Sequence, residues 1–228
     1  MLVLINLNFI WKIIKLILDF PYLIFVIIDT KRCKIMGNYY KELPDGYVVD
    51  KVIDAKEDTK IKVIFTVGSF VIMGLVFSLF LPYLIKNFSL ADDNLLIVYL
   101  LLMVGMVIYI VLHELTHGLF YKIFTKEKLT YGFTLTVAYC GVPNLYLKKI
   151  PALIAALAPF VVYSIIFGIG LIFIQDYWYF AALALLFSIH ISGCIGDLYV
   201  SILLLFKYKG QDVLVNDTGP KQTFYIKK

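Results

Sequence analysis

The stretch "IYIVLHELTHGLFYKIF", residues 108–124, places two histidines and a glutamate close together in an otherwise apolar run. Two of the chain's three histidines, His113 and His117, stand four positions apart here, and Glu114 follows the first of them. On a helix, this spacing directs both imidazoles to one face, where they can bind one metal ion. Glu114 can then accept a proton from a water molecule that the metal activates. This HExxH pattern predicts a zinc-hydrolase site.

The composition around that motif is typical of a membrane protein. Hydrophobic residues make up 61% of the chain and charged residues only 16%, with a mean hydropathy of +0.88, which lies outside the range of soluble proteins. The net charge of +5 is spread over the flanks of the apolar runs, so no nucleic-acid partner is predicted. The three cysteines form neither a disulfide framework nor a thiolate metal site. We expect the lipid bilayer to be the main partner of the apolar runs.

Four apolar runs are long enough to cross a bilayer, which takes about 20 residues in a helix. They span residues 61–85, 95–124, 150–174 and 178–206. Lysines flank the first run, the middle connection and the end of the last run, whereas the two short loops carry acidic residues. The positive-inside rule then places both termini and the middle connection in the cytoplasm. The sequence predicts an all-α, multi-pass protein of the cell membrane whose four transmembrane helices lie in a zincin-like domain, residues 61–206.

The remaining segments are shorter and more polar. Residues 1–29 carry Asn8, Lys12, Lys15 and Asp19 on one helical face, which predicts an N-terminal amphipathic helix at the interface, with a fifth span as the alternative. Residues 30–60 are expected to be a cytoplasmic connector, and residues 207–228 a cytoplasmic tail.

The middle connection, residues 127–149, shows the period of a strand. Large side chains alternate with small or polar ones from Leu129 to Cys140, which predicts one half-buried strand. "GVPN" then turns the chain, and "LYLKK" returns as a second strand. We expect a short cytoplasmic β-hairpin.

A catalytic zinc site needs a third protein ligand and one open position for water. Phe120 and Ile123 stand where the metzincin extension would require glycine and histidine, which excludes that class. Asp197, His113 and His117 all lie about 27–33 Å along their predicted helices, at a rise of about 1.5 Å per residue. Asp197 is therefore the favoured third ligand among the downstream carboxylates, which are Asp176, Asp197, Asp212 and Asp217.

Other residues have secondary roles in this prediction. His190 lies two turns above Asp197 on the same helical face and is the second choice as ligand, or else a wall of the cavity. Asn144, His190 and tyrosines near the strand are candidate oxyanion donors. Gly193 and Gly196 are expected to let another helix approach closely. The alternative for the polar residues themselves is a hydrogen-bonded network that only packs helices together.

Four motifs, "HELTHG", "YGFTLTVAYC", "ALAPF" and "SGCIGDLY", occur in that order within about residues 40–220. Together they resemble a family of small bacterial integral-membrane zincin peptidases, long called a domain of unknown function. Members of that family commonly begin near a segment like "GNYYKELPDGY", so Met36 is an alternative start. More distantly, an HExxH span followed two spans later by an aspartate is similar to the site-2 protease family of intramembrane metalloproteases.

The resemblance to site-2 proteases implies one Zn²⁺ per chain, held by His113, His117 and Asp197, with Glu114 as the catalytic base. In that family a glycine follows the aspartate. Here Gly196 precedes Asp197 and Leu198 follows it, so the order is reversed. The expected function is zinc-dependent hydrolysis of membrane-associated protein or peptide substrates near the cytoplasmic face. The alternatives are a non-catalytic membrane zinc-binding scaffold with His190 as fourth ligand, and a metal transporter, which the lack of ionisable residues deep in the first and third runs disfavours. No oligomeric state is predicted.

Overall fold

The structure is a computed structural model that describes residues 37–87, 95–133 and 138–228. The amphipathic helix predicted for residues 1–29 lies outside the described residues. The described chain divides into two compact units. The first unit comprises residues 68–87, 95–108 and 160–194, and the second unit comprises residues 37–67, 109–133, 138–159 and 195–228.

Helices dominate the described chain. They are α1 (Thr59–Ser78), α2 (Leu81–Lys86), α3 (Leu95–Thr125), α4 (Lys149–Phe173), α5 (Tyr177–Gly193) and α6 (Ile195–Ile202), followed by a π-helical turn (Leu203–Lys207). The helices α1, α3 and α4 are each long and apolar enough to cross a membrane, and the bent pair from α5 through the π-helical turn makes a fourth if it counts as one span. The prediction of a mostly helical protein with several apolar spans is confirmed. The cytoplasmic placement of the termini stays a prediction.

Two of the four predicted spans are not continuous helices. The first, residues 61–85, breaks after Ser78, and α2 begins with Pro82 in its first turn. Proline has no backbone N–H to donate to the carbonyl oxygen four residues earlier, here that of Ser78, and its ring clashes with that carbonyl, which explains a break at this point. The fourth, residues 178–206, breaks at Cys194 after Gly193, a residue with low helix propensity. The length of an apolar run predicts whether a segment can cross a membrane, but it does not predict where the helix breaks.

The first unit has its own apolar core. Phe80 meets Phe180 and Phe187 edge to face, with ring centroids 6.1 Å apart in both pairs. This geometry is the favourable one for aromatic rings. Asp176, one of the downstream carboxylates, caps α5 by accepting hydrogen bonds from the backbone of Trp178 and Tyr179. Its carboxylate is therefore used for helix capping.

The second unit contains a five-stranded antiparallel sheet with the order β1-β5-β6-β7-β2. Its strand β6 is central, and Leu214 and Val215 are both almost completely buried although neighbouring residues of a strand face opposite sides. Both faces of β6 are therefore covered. The strands are β1 (Tyr39–Tyr40), β2 (Tyr47–Asp54), β5 (Tyr146–Lys148), β6 (Val213–Asp217) and β7 (Lys221–Lys227).

This sheet corrects the all-α prediction. The predicted connector, residues 30–60, supplies β1 and β2, and the predicted tail, residues 207–228, supplies β6 and β7. Strand β2 pairs with β7 along its length, although the two segments are far apart in the sequence. Short strands with such distant partners leave little trace in local sequence patterns.

The predicted hairpin is corrected as well. The stretch expected to form one strand from Leu129 to Cys140 instead forms β3 (Thr130–Phe133) and β4 (Ala138–Gly141), which pair with each other. The "LYLKK" segment does not pair with them, because β5 lies between β1 and β6. Alternating residue size shows which face of a strand is covered, but it does not identify the partner strand.

Asp217 ties the end of β6 to helix α3. The Tyr121 hydroxyl donates a hydrogen bond of 2.5 Å to its carboxylate, and the backbone of Gly219 and the amide of Gln222 donate two more. The backbone N–H of Val142 donates to the Asp217 carbonyl oxygen at 2.7 Å. Burial raises the pKa of Asp217 from 3.8 to about 6. The β6–β7 turn is thus fastened one helical turn after His117.

Asp217→Asn tests this buried carboxyl. Because the pKa of Asp217 is higher in the folded protein, the folded state binds the proton more tightly than the unfolded state does. The group therefore adds to the free energy of unfolding below about pH 4, and this contribution is lost as the pH rises through about 6. We expect the melting temperature of the wild type in detergent to fall, relative to that of Asp217→Asn, between about pH 5 and about pH 7. Asp212→Asn, at an exposed position, is the control. A temperature difference that does not change with pH would contradict the assignment.

Candidate metal centre

His113, His117 and Asp197 converge at one point in the second unit. The Nε2 atom of His113 lies 3.3 Å from Oδ2 of Asp197, and the Nε2 atom of His117 lies 3.4 Å from Oδ1. Their three ligand atoms all lie within 4.8 Å of one another. Both histidines are buried and Asp197 is half-buried. The structure therefore brings together the three residues that the sequence predicted as ligands.

The spacing of these atoms fits a zinc ion. Two ligands of a tetrahedral zinc ion, each about 2.0–2.1 Å from the metal, lie about 3.3–3.4 Å apart. The imidazole-to-carboxylate distances of 3.3 and 3.4 Å agree with this geometry. Two imidazoles and one carboxylate are also a donor set that zinc prefers, and three protein ligands leave a position for water. The residues present thus fit a catalytic zinc site.

Local helical structure sets these positions. His113 and His117 are separated by one turn of α3 and share a face. Asp197 lies in the first turn of α6, directly after the break at Cys194. The positive end of the helix dipole stabilises a carboxylate there. The break that interrupts the fourth apolar run thus puts Asp197 at a helix N-terminus.

The other nitrogen of each imidazole has its own partner. Nδ1 of His113 lies 3.1 Å from the Tyr109 hydroxyl, one turn earlier on α3. Nδ1 of His117 lies 2.8 Å from the carbonyl oxygen of Ala155 on α4. Contacts of this kind fix the orientation of a metal-binding imidazole and leave Nε2 directed at the metal. Both Nε2 atoms face Asp197 here.

Residues 106–211 match the model of the family described as "Putative zincin peptidase". The resemblance predicted from the sequence is thereby confirmed over this range. It includes all four central residues, His113, Glu114, His117 and Asp197. No curated protein and no solved structure matches the chain. The zincin-peptidase description indicates a metallopeptidase.

Glu114, the residue that the sequence predicts as the base, lies near the β3–β4 pair. Its negative charge adds to burial in raising the pKa of the Cys140 thiol to about 12. The same charge also raises the pKa of Tyr131, for which burial is the larger cause. Glu114 is itself only partly buried. Its carboxylate therefore lies close to the side of the hairpin that carries these two residues.

Gly118 allows that hairpin to approach the motif. A Cβ atom at this position would lie 1.9 Å from the Tyr131 hydroxyl and 3.1 Å from Leu129. The phenol therefore occupies the space of a side chain at position 118, one turn after Glu114. Only glycine is compatible with this contact. The residue that completes "HELTHG" has a steric role that its place in the sequence did not reveal.

The other predicted residues are His190, Asn144, Gly193 and Gly196. His190 belongs to the first unit, where its Nε2 atom lies 3.0 Å from the Ser164 hydroxyl and its Nδ1 atom 3.7 Å from Cys194 Sγ. Asn144 is exposed in the turn between β4 and β5. The close helix approach expected at Gly193 and Gly196 is not found among the described residues: a Cβ atom would meet none of their atoms within 4 Å at Gly193 and would make an ordinary 3.8 Å contact at Gly196.

Sequence reasoning missed four residues that support the site. Tyr109 and Ala155 contact the two histidines, and Gly118 and Tyr131 set the position of the hairpin. Tyr109 had a usable signal, because it precedes His113 by one helical turn. The Ala155 carbonyl had none of its own, since any residue carries a carbonyl group.

Gly118→Ala is expected to destabilise the second unit. The added methyl group would collide with the Tyr131 phenol, and overpacking of this kind costs about 1–3 kcal/mol. We expect a lower free energy of unfolding in detergent and faster proteolysis near residues 126–133. The double variant Gly118→Ala/Tyr131→Ala should recover the loss.

Gly105→Ala is the matched control on the same helix. A Cβ atom there would lie 3.9 Å from Leu186, an ordinary contact, so alanine should stabilise the helix by up to about 1 kcal/mol. Equal effects at positions 105 and 118 would show that the Tyr131 contact is not tight.

Proposed function

We propose that the protein is a zinc-dependent metallopeptidase that hydrolyses peptide bonds of membrane-associated proteins near the cytoplasmic face. One observation carries this proposal: Nε2 of His113 and Nε2 of His117 face one Asp197 carboxylate at the separations expected of zinc ligands. Glu114 follows His113 on the same helix and is not one of these three ligands, so its carboxylate can act as a base. The zincin-peptidase family match over residues 106–211 supports the same chemistry.

A zinc ion bound by these three residues supplies Lewis-acid chemistry, which lowers the pKa of water towards 7 and polarises a carbonyl group. Glu114 accepts the proton of the attacking water and then delivers it to the amine that leaves. Tyr109 and the Ala155 carbonyl hold the imidazoles in place. The partial burial of Glu114 keeps bulk water from competing for that proton.

Tyr131 is suited to assist the developing oxyanion. Its hydroxyl occupies the place of a side chain at position 118, and neighbours one turn apart on a helix lie about 5–6 Å from each other. The phenol is therefore close to Glu114. Burial raises its pKa above 10.0, so the hydroxyl keeps its proton, and its present partner is the Cys140 thiol. A thiol is a weak hydrogen-bond partner, and an oxyanion would replace it as the acceptor. The side chain is 47% exposed, which leaves it accessible to a substrate.

Strand β3 supports a mode of substrate binding. In the described chain, β3 pairs only with β4, and Thr130 and Tyr131 are exposed. An extended substrate segment can add to the outer edge of β3 by main-chain hydrogen bonds. Such binding would carry a peptide past Tyr131 towards Glu114. A hairpin that only covers the site is the alternative.

The residue at position 114 separates this proposal from a non-catalytic scaffold. A scaffold would bind zinc without any proton transfer and would have no use for a carboxylate beside a ligand, whereas a peptidase needs a base there. Glu114, which follows His113 on α3, therefore favours the peptidase.

The metal content of purified protein tests the site. We expect about one zinc ion per chain in the wild type. Glu114→Ala should keep the zinc and lose cleavage of unfolded or single-span polypeptides, because Glu114 moves protons and does not bind the metal. His113→Ala and Asp197→Ala should lose the zinc. Elemental analysis of detergent-purified protein and a cleavage assay measure both properties.

Three other outcomes would contradict the proposal or one of its ligands. Zinc retained in Asp197→Ala would remove Asp197 from the ligand set. Zinc with no cleavage by the wild type of any polypeptide would favour the scaffold, and a wild type without zinc would make the cluster a helix-packing network.

Tyr131→Phe separates oxyanion stabilisation from metal binding. Loss of one such donor lowers kcat on the order of 10²-fold, and we expect this decrease with unchanged zinc affinity. Tyr139→Phe, on the paired strand, is the control, since its ring packs against Gly132 and Gly219. Equal kcat values for the wild type and Tyr131→Phe would exclude the role.

A further inference from the structure

Pro159 interrupts the backbone hydrogen bonding of α4. It lies inside this helix, and proline has no backbone N–H group. In an α-helix, the N–H of residue 159 would donate to the carbonyl oxygen of residue 155. The Ala155 carbonyl therefore lacks its usual helical donor.

The donor that replaces it belongs to the metal centre. Nδ1 of His117 lies 2.8 Å from the Ala155 carbonyl oxygen. Ala155 is fully buried and His117 is 7% exposed, so water has little access to this oxygen. An unpaired carbonyl at such a depth is unfavourable. The imidazole of His117 satisfies the group that the proline leaves open.

This contact places a hydrogen on Nδ1 of the ring. A carbonyl oxygen only accepts hydrogen bonds, so Nδ1 of His117 is the donor. An imidazole that keeps this hydrogen can bind a metal only through Nε2, the atom that lies 3.4 Å from Asp197. A metal-binding nitrogen needs a free lone pair.

We propose that Pro159 is a positioning residue: by withholding a backbone N–H, it keeps the Ala155 carbonyl available to His117 and so holds this imidazole as an Nε2 ligand. The inference rests on the proposed zinc site and extends it to a residue that touches neither metal nor substrate. It gives a reason for proline in the interior of α4, where proline is unfavourable.

The same helix supplies a comparison. Pro151 lies in the first turn of α4, where a backbone N–H has no partner within the helix. Its ring therefore releases no helical carbonyl. His113 is held differently, by the hydroxyl of Tyr109. The effect of Pro159 should be confined to His117.

Pro159→Ala restores the missing N–H, and Pro151→Ala is the matched control. Both are made in the full chain and purified in detergent. Zinc affinity is measured by competition with a chelator. We expect zinc to bind about tenfold to a hundredfold more weakly to Pro159→Ala, the usual effect of losing such a contact, and equally well to the wild type and Pro151→Ala. Helix content should not fall, because the restored N–H adds a hydrogen bond to α4.

A second measurement needs no metal. In ¹⁵N-histidine NMR spectra of the metal-free protein, the signals of His117 are assigned by their loss in His117→Gln. We expect the Nδ1 hydrogen of His117 to exchange slowly with solvent in the wild type and in Pro151→Ala, because it is bonded to the Ala155 carbonyl, and to exchange faster in Pro159→Ala. The signals of His190 should not move.

The outcomes separate this inference from the proposed function. Wild-type zinc affinity in Pro159→Ala, or an unchanged exchange rate of the His117 Nδ1 hydrogen, would overturn the inference, because the carbonyl would then accept both donors at once. A wild type without zinc affinity would overturn the proposed function, and the NMR spectra would still decide the role of Pro159. Pro159→Gly restores the N–H without a side chain. Unfolding of both variants would show that Pro159 serves the fold, which also overturns the inference.

Discussion

The second unit is organised by the need of its buried polar groups for hydrogen-bond partners. Two buried imidazoles face one carboxylate at 3.3 and 3.4 Å, and every polar atom behind them must also be paired, because water has little access. Tyr109 pairs His113, and the Ala155 carbonyl pairs His117. Among the described residues, no buried side-chain nitrogen or oxygen lacks a hydrogen-bond partner. The candidate metal centre is thus held by contacts that the fold requires in any case.

The strands serve the same centre. Tyr121, one turn after His117, donates to Asp217 at the end of β6, and the backbone of Val142 donates to the Asp217 carbonyl. Tyr131 on β3 fills the space above Gly118. Segments from the C-terminal end of the described chain and from its middle therefore meet at α3. A rigid sheet suits this task, since catalytic groups need supports that do not move.

Departures from regular helical structure coincide with the functional residues. The break at Cys194 puts Asp197 in the first turn of α6, and Pro159 removes the N–H that would otherwise occupy the Ala155 carbonyl. Each departure weakens a helix locally, and each provides a group that binds or orients. This is the usual pattern at functional sites, where local sequence preferences are overridden for a purpose.

The sequence by itself determined the helical class, the apolar spans and the presence of a metal-binding motif. These features depend on hydrophobic length and on spacing within a single helix, and both are local. The agreement in depth between Asp197 and the two histidines was also readable, because helical rise is constant. Only the tertiary structure decided that residues of the supposed connector and tail form one sheet, that β3 pairs with β4, and that the Ala155 carbonyl meets His117. Those contacts join residues distant in the chain, and their existence depends on the path of the backbone, which no local pattern records.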